Sequence, residues 1–310
     1  MKRFLTYFGL IYLIIIGGFV VLEYVMKDVI NEYSYKYRYL NNHLDDISYL
    51  ILGNSHTGGA VNPHLLDSAF NMAQSARTLY YDAKISEEYI PRMHNLRVVI
   101  LSHSYTFPWG DLSPNFPNNN DSWKNTRVFE YNKFMNIPYE QSKYKYIQKS
   151  ALCTGHMYCE YFRQTKPGLD SYDSLGFYYR RKDIHFDTEW KVTCLPPNDL
   201  GIGSDSLLSY VQEYTKLLKR IAKVCYDNDV RCVAITTPCY ASYLEETKNI
   251  GIQTLYDIIE SVNMYYPIEY YNYIDDEQFR AESLFYDCSH LNYMGAELLT
   301  KRLIKDLHIE

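Results

Sequence analysis

Near its C-terminus the chain reads Asp287-Cys288-Ser289-His290-Leu291-Asn292. An Asp and a His three residues apart, just ahead of an amphipathic stretch, can lie side by side. The carboxylate then holds one imidazole nitrogen and leaves the other to act as a base. Such a base needs a nucleophile, and Tyr49-Leu50-Ile51-Leu52-Gly53-Asn54-Ser55-His56-Thr57 offers one. An apolar run reads as a buried strand, Gly53 permits a tight turn, and Ser55 heads the helix that follows. A helix start leaves backbone N–H groups without partners, a natural place to meet an oxyanion. The chemistry implied is acyl transfer through Ser55, with His290 as general base and Asp287 as its orienting carboxylate. Plainer readings exist. Ser is a common helix N-cap, and Asp287 or Ser289 would serve as cap for the last helix, with His290 on its first turn. A nucleophilic Cys288 is weaker still, because the better turn is at Ser55.

These residues need a scaffold that brings residues 55 and 290 together. Apolar runs at 48–52, 69–72, 97–102, 231–237 and 268–274 read as strands of a buried parallel sheet. Helical periodicity occupies 77–93, 206–227, 254–264 and 293–307. In the second of these, Leu207, Leu208, Val211, Tyr214, Leu217, Leu218, Ile221 and Val224 form one face. Strands alternating with helices predict an open α/β sheet with its ligand at the carboxyl ends of the strands. Ser55 follows the first strand, Ser104 the third, and Asp287 and His290 the last, so all fall on one rim. His56 and His103 belong to the same rim, each either lining the pocket or merely filling its turn.

On these residues the chain resembles the SGNH, or GDSL-type, hydrolase superfamily. Gly53-Asn54-Ser55-His56 is similar to the family's first block, with Asn54 where Asp is commoner. Asn71-Met72-Ala73-Gln74-Ser75-Ala76-Arg77-Thr78 resembles the second block, with Ala76 in place of the oxyanion-hole Gly. Leu101-Ser102-His103-Ser104-Tyr105 stands where the third block has its oxyanion Asn, and Ser104 is at or near that position. Asp287-Cys288-Ser289-His290 matches the terminal D-x-x-H. The resemblance covers about 47–105 and 204–310 and implies a flavodoxin-like three-layer α/β/α fold with a Ser55–His290–Asp287 triad. Ala76 would donate its N–H if its backbone tolerates a Cβ. Asn54, His103 and Ser104 are the further oxyanion or substrate-binding candidates. The lost Asn matters, since one oxyanion donor is worth about 10²–10³ in rate.

Between about 105 and 203 the alternation stops. Turn-rich stretches and dense aromatics, among them Phe107, Trp109, Phe116, Trp123, Phe129, Tyr131, Phe134, Tyr144, Tyr146, Phe177, Tyr178 and Tyr179, read as an insertion beside the rim. It would act as a cap or substrate platform, or simply shield the sheet. Arg180-Arg181-Lys182 would contact an anionic glycan or form a solvated charge run.

The N-terminus supplies a second kind of signal. After Met1-Lys2-Arg3, residues 4–22 carry no charge, about the length a helix needs to cross a bilayer core. The run exceeds the usual apolar core of a cleaved signal peptide, and no small-x-small site follows. Residues 1–25 are thus expected as an uncleaved single-pass anchor, 26–46 as a stalk, and 47–310 as the hydrolase-like domain. Lys2 and Arg3 favour the inside, while Lys27, Lys36 and Arg38 oppose them. The very short basic head places the catalytic domain outside the cytoplasm.

Composition narrows the function classes. The 310-residue chain has a formal net charge of −6 and no basic stripe, so no nucleic-acid partner is expected. Seven cysteines (153, 159, 194, 225, 232, 239, 288) include no CxxC pair, and His156 and His185 lack ligand spacing, so neither metal nor cofactor is expected. Cys225 and Cys232 read as small core residues, and Cys153 and Cys159 can pair in an oxidising compartment. Tyrosine is abundant at 34 residues, useful at glycan surfaces or simply as packing.

The layout resembles the membrane-anchored, cell-envelope branch of the family, which moves or removes acyl groups, often acetyl, on surface polysaccharides. The expected activity is a serine esterase or O-acyltransferase on acyl esters of extracytoplasmic glycans. Its partners would be an acylated polysaccharide or another envelope ester, and the membrane. The rival is a catalytically weak or inactive relative that binds a glycan or a membrane acyltransferase partner. A third reading is a lipid-ester hydrolase.

Overall fold

The computed structural model describes residues 2–27, 31–104, 128, 130–139, 172–180, 204–240 and 252–309. The chain divides into two compact units, one of Met1–Asn41 with Asn120–Leu169, the other of Asn42–Asn119 with Asp170–Glu310.

In the second unit the five apolar runs form five strands: β1 (Tyr49–Ile51), β2 (Ala69–Asn71), β3 (Val98–Ser102), β4 (Arg231–Thr236) and β5 (Glu269–Asn272). Every pairing is parallel and the order is β2-β1-β3-β4-β5. The register keeps like with like. Ile51 lies opposite Ile100, and Ile100 opposite Val233. With Tyr49, Val98 and Ile235 these residues bury one face of the sheet against Ala60, Val61, Leu299 and Leu303. Successive residues point to opposite faces, so Leu50, Val99, Leu101 and Ala234, all fully buried, supply the other. Burial on both faces is why β1 to β4 read as apolar runs rather than as alternation, whereas β5 at the sheet edge is half-buried along its length.

The helices of this unit are α3 (Ser55–Ala60), α4 (Leu79–Tyr89), α5 (Ser204–Asp227), α6 (Ile252–Asn263) and α7 (Tyr293–Asp306), numbered after α1 (Lys2–Lys27) and α2 (Glu32–Asn42) of the first unit. The α3 and α7 helices cover the first face; α5 packs on β4 and against α4 and α6. The buried stripe of α5 is Tyr210, Tyr214, Leu217, Leu218, Ile221, Ala222 and Cys225, while Leu208 is 58% exposed. The expected face is therefore corrected at its N-terminal end, because Tyr210 continues the four-residue spacing from Tyr214 and Leu208 does not. Cys225 and Cys232 are free and buried, as core residues.

Between β1 and β3 the strand order changes direction. Connections leave that point on opposite faces and open a crevice at the carboxyl ends, the usual seat of a ligand in such sheets. A small antiparallel pair, β6 (Phe285–Asp287) and β7 (His290–Leu291), ends the chain's path before α7.

In the first unit, Arg3–Tyr24 is long and apolar enough to cross a membrane, with a mean hydropathy of 2.4 and none of it buried. The stretch read as a stalk contains α2, where Tyr33 and Leu40 are buried and Lys36 pairs with Glu32 at 3.0 Å. Tyr131 and Phe134 are buried here too, Tyr131 edge-on to Tyr33 at 5.1 Å. They serve packing rather than a substrate platform.

The segment read as one insertion is thus shared between the units. Phe107, Trp109, Phe116, Trp123, Phe129, Tyr144, Tyr146, Cys153, Cys159, Cys194, His156, His185, Arg181 and Lys182 lie outside the described residues.

Candidate active site

The turn after β1 is built so that Ser55 is not consumed by structure. Gly53 has φ +118°, and a Cβ there would come within 2.5 Å of Ser102 Cβ, so only glycine fits. Asn54 is the N-cap of α3: its Oδ1 accepts from His56 N at 3.0 Å and from Ser102 Oγ at 3.3 Å. The cap is Asn54, which frees the Ser55 hydroxyl and engages Asn54 Oδ1 in structure. The side chain of Asn71 on β2 ties α3 down by donating to Gly58 O (3.2 Å) and Val61 O (3.0 Å), and it accepts from Ala73 N.

At the other end of the chain, Asp287 closes β6 and His290 opens β7, so a two-residue connection places them face to face. The cap of α7 is neither Asp287 nor Ser289. Asn292 Oδ1 accepts from Met294 N and Gly295 N at 3.0 and 3.1 Å. Asp287 Oδ1 accepts instead from Ser289 N, Ser289 Oγ and His290 N, at 2.9, 3.1 and 2.8 Å.

The two ends meet at the rim. Ser55 Oγ lies 2.9 Å from His290 Nε2, and His290 Nδ1 lies 2.8 Å from Asp287 Oδ2. Asp287 keeps the proton on Nδ1, so the Nε2 lone pair faces the serine. Burial raises the Asp287 carboxyl, but the hydrogen bond and charge of His290, the Ser289 N–H and Arg180 outweigh it and hold it well below its ordinary value. Burial pulls His290 below 6.5, opposed by Asp287 and helped by Arg180. At neutral pH the imidazole is therefore a neutral base beside an ionised carboxylate. Cys288 is disulfide-bonded and carries no thiol, which removes it as a nucleophile.

Ala76 has φ +54°, the left-handed conformation that favours glycine. Its N–H has no hydrogen-bond partner among the described residues. Behind it stands a buried network that the sequence reading missed. Asp82 on α4 accepts from Gly53 N at 3.2 Å and pairs with Arg77 at 3.6 Å, and Arg77 donates to Gln74 Oε1 at 2.8 Å. One carboxylate thereby joins the turn before Ser55 to the loop that carries Ala76. An acidic residue in the first turn of a helix reads as favourable to the helix dipole, which hides this role in the sequence.

His103 is corrected to a core residue. It is fully buried, with Nδ1 on Tyr214 OH (3.1 Å) and Nε2 on Leu255 O (3.0 Å), so neither nitrogen is left for a substrate. Ser104 is buried just beyond β3 at the edge of the described residues. His56 joins the site: its ring stacks on His290 and its Nδ1 donates to Ser289 O at 2.9 Å.

A further part of the site comes from Tyr172–Arg180, which crosses α3 as a strap. Leu175 O accepts from Asn71 N, and Tyr178 N donates to Gly58 O. Tyr178 OH accepts from Ser75 N at 2.7 Å, and Arg180 O from Tyr293 N at 3.0 Å. A Cβ on Gly58 would lie 2.5 Å from the Tyr178 ring, so the Gly58-Gly59 pair is the sequence signal that something packs on this helix. Arg180 is mostly buried, not part of a solvated charge run. Among the described residues no group of three or more His, Cys, Asp or Glu could hold a metal ion. Comparison with known protein-family models gives no match, and comparison with curated proteins gives none either.

Proposed function

We propose that the chain is an SGNH-type serine esterase or O-acyltransferase that works through an acyl-enzyme on Ser55. The observation that carries this reading is the continuous chain Ser55 Oγ, His290 Nε2, His290 Nδ1, Asp287 Oδ2, with links of 2.9 and 2.8 Å. The strand order β2-β1-β3-β4-β5 supports it, since Ser55 leaves β1 at the switch point.

In this mechanism the Ser55 hydroxyl adds to the ester carbonyl as its proton passes to His290 Nε2. Asp287 stabilises the imidazolium. The oxyanion is met by the Ser55 N–H at the first turn of α3 and by the Ala76 N–H. His290 then returns the proton to the leaving alkoxide, giving the alcohol and acyl-Ser55. Water attacks the acyl-enzyme in hydrolysis, and a sugar hydroxyl in transfer; His290 takes the attacking group's proton and returns it to the departing Ser55 oxygen, which releases the acid or the new ester and restores the serine.

The substrate class is an acyl ester, acetyl above all, on a glycan outside the cytoplasm. The apolar Arg3–Tyr24 helix supports a membrane anchor. The disulfide at Cys288 supports an oxidising compartment.

The test is intact-mass analysis of the full chain in detergent after exposure to a fluorophosphonate, beside Ser55→Ala. One adduct on the parent and none on the variant is expected. Hydrolysis of 4-nitrophenyl acetate should fall by at least ~10³ in the variant. A folded parent that takes no adduct would favour a non-catalytic glycan- or partner-binding relative.

A further inference from the structure

Among the described residues Arg180 has no carboxylate within ion-pair distance. Its guanidinium lies over Gly59 of α3, where an added Cβ would come within 3.2 Å of Cζ. It sits between two rings, with Cζ 5.8 Å from the centre of Tyr178 and 5.4 Å from that of Tyr286. Nη2 reaches Ser55 O only at 3.5 Å, and Nη1 is shut off from water with no hydrogen-bond partner among the described residues. Asp287 acts on it through space, but its oxygens are engaged by His290 and Ser289.

A desolvated guanidinium with unmet donors is costly to hold, and burial weakens it further. It also weakens the site it borders, because its charge lowers the basicity of His290. A structural clamp over α3 needs no charge. A charge kept here at that cost is explained by an anion that arrives with the substrate. Arg180 retains some solvent access, and the half-exposed Tyr179 stacks on Tyr293 at 5.3 Å beside it. Flat tyrosine faces with polar edges suit the faces of sugar rings, and a guanidinium suits carboxylate or phosphate through paired N–H groups.

We propose that Arg180, between Tyr178 and Tyr286, is the specificity residue for an anionic group, carboxylate or phosphate, on the sugar that carries the ester. This rests on the reading of Ser55, His290 and Asp287 as an ester-processing centre. It adds a coupling: the bound anion cancels the field of Arg180 at His290, so the base strengthens when the right substrate is present.

The experiment uses the full chain in detergent with Ser55→Ala, so that binding is read without turnover. O-acetyl glucuronate, O-acetyl glucose 6-phosphate and O-acetyl glucose are titrated by calorimetry. At least one anionic sugar should bind about 10- to 100-fold more tightly than the neutral one, as charge-assisted hydrogen bonds provide. Comparison of the two anionic arms tells carboxylate from phosphate. Arg180→Gln should erase the preference and Arg180→Lys keep part of it. Equal binding of all three sugars, or a uniform loss in Arg180→Gln, overturns the proposal. Ester hydrolysis by the parent is scored separately. Turnover without anion preference sinks the Arg180 role alone, whereas anion preference without turnover keeps the anion site and sinks the esterase reading.

Discussion

The rings of His56 and His290 lie stacked, with centroids 4.5 Å apart and planes 23° from parallel, while His56 Nδ1 donates to Ser289 O. His56, the residue after Ser55, thus holds both the face of the His290 ring and the backbone beside it. Burial first, then the charges of His290 and Arg180, push His56 down to about 3, so it stays neutral and adds no repulsion to the imidazolium that forms on His290. We expect His56→Ala to lower kcat about 10- to 100-fold, in line with loss of a residue that positions the base, with little change in KM. Water admitted to His290 should also raise the acid-limb midpoint toward 6.5. An unchanged pH profile would show that the stack is incidental.

The pH dependence of kcat/KM follows from the lowered His290. In the proposed mechanism the base must be neutral to accept the Ser55 proton, so activity should rise with pH through its pKa and level off above it. Burial and Arg180 place that midpoint below 6.5. Arg180→Gln removes a nearby cation and should move the limb upward. Measured kcat/KM from pH 4 to 8 on a neutral ester checks both statements, and a midpoint above 6.5 in the parent would contradict them.

Ala76 pays a backbone penalty at φ +54°. A left-handed non-glycine residue costs about 1–2 kcal/mol, against about 0.5–1 kcal/mol of chain entropy for glycine. Ala76→Gly should therefore raise stability by up to about 1 kcal/mol and leave the N–H free to serve the oxyanion. Chemical denaturation of both forms decides it; a destabilised variant would mean that the methyl group makes contacts outweighing the strain.

The strap can be tested at Gly58. A methyl group there meets Tyr178 at 2.5 Å and must displace the ring that accepts from Ser75 N. Overpacking of this kind costs about 1–3 kcal/mol. We expect Gly58→Ala to be destabilised by that amount and to lose activity. Tyr178→Phe, which removes only the acceptor, should keep most stability and lose part of the activity. If Gly58→Ala matches the parent in both respects, the strap does not shape the site.

Asp82 has a stability signature of its own. Burial pushes its carboxyl from 3.8 up to about 6, against the pull of Arg77 and Gly53 N–H. The folded state then holds the proton to higher pH than the unfolded one. Stability from this group is fullest below about 4, declines as pH rises through 6, and is flat above. The parent should lose on the order of 2–3 kcal/mol relative to Asp82→Asn across that window. Denaturation midpoints of the two proteins at pH 4, 5, 6 and 7 read this difference directly, and parallel curves would refute it.

By itself the sequence determined the α/β alternation, since strands buried on both faces must be apolar runs and amphipathic helices must cover them. Leu50, Ile100 and Ile235 mark such strands in any context. Local spacing also determined the pairing of Asp287 with His290, because three residues span one tight connection. Gly53 announced the turn before Ser55, as only glycine adopts its backbone there. The apolar 4–22 run needed nothing beyond its own length. What lay beyond the sequence depended on distant contacts. Asn54 rather than Ser55 is the cap, its Oδ1 accepting from His56 N and, across the turn, from Ser102 Oγ of β3. His103 turned inward because Tyr214 and Leu255 offered it partners, although its position beside β3 pointed to the rim. Asp82, 29 residues from Gly53, became its partner only when β1, β2 and α4 packed. Arg180 reads as one of three successive cations in the chain, and only the strap over Gly58 and Gly59 takes it out of water and sets it beside Ser55. Periodicity and turn chemistry are local properties and survive in a string of letters. Burial of a charge is a property of the packed chain, because it depends on what the fold brings around that charge.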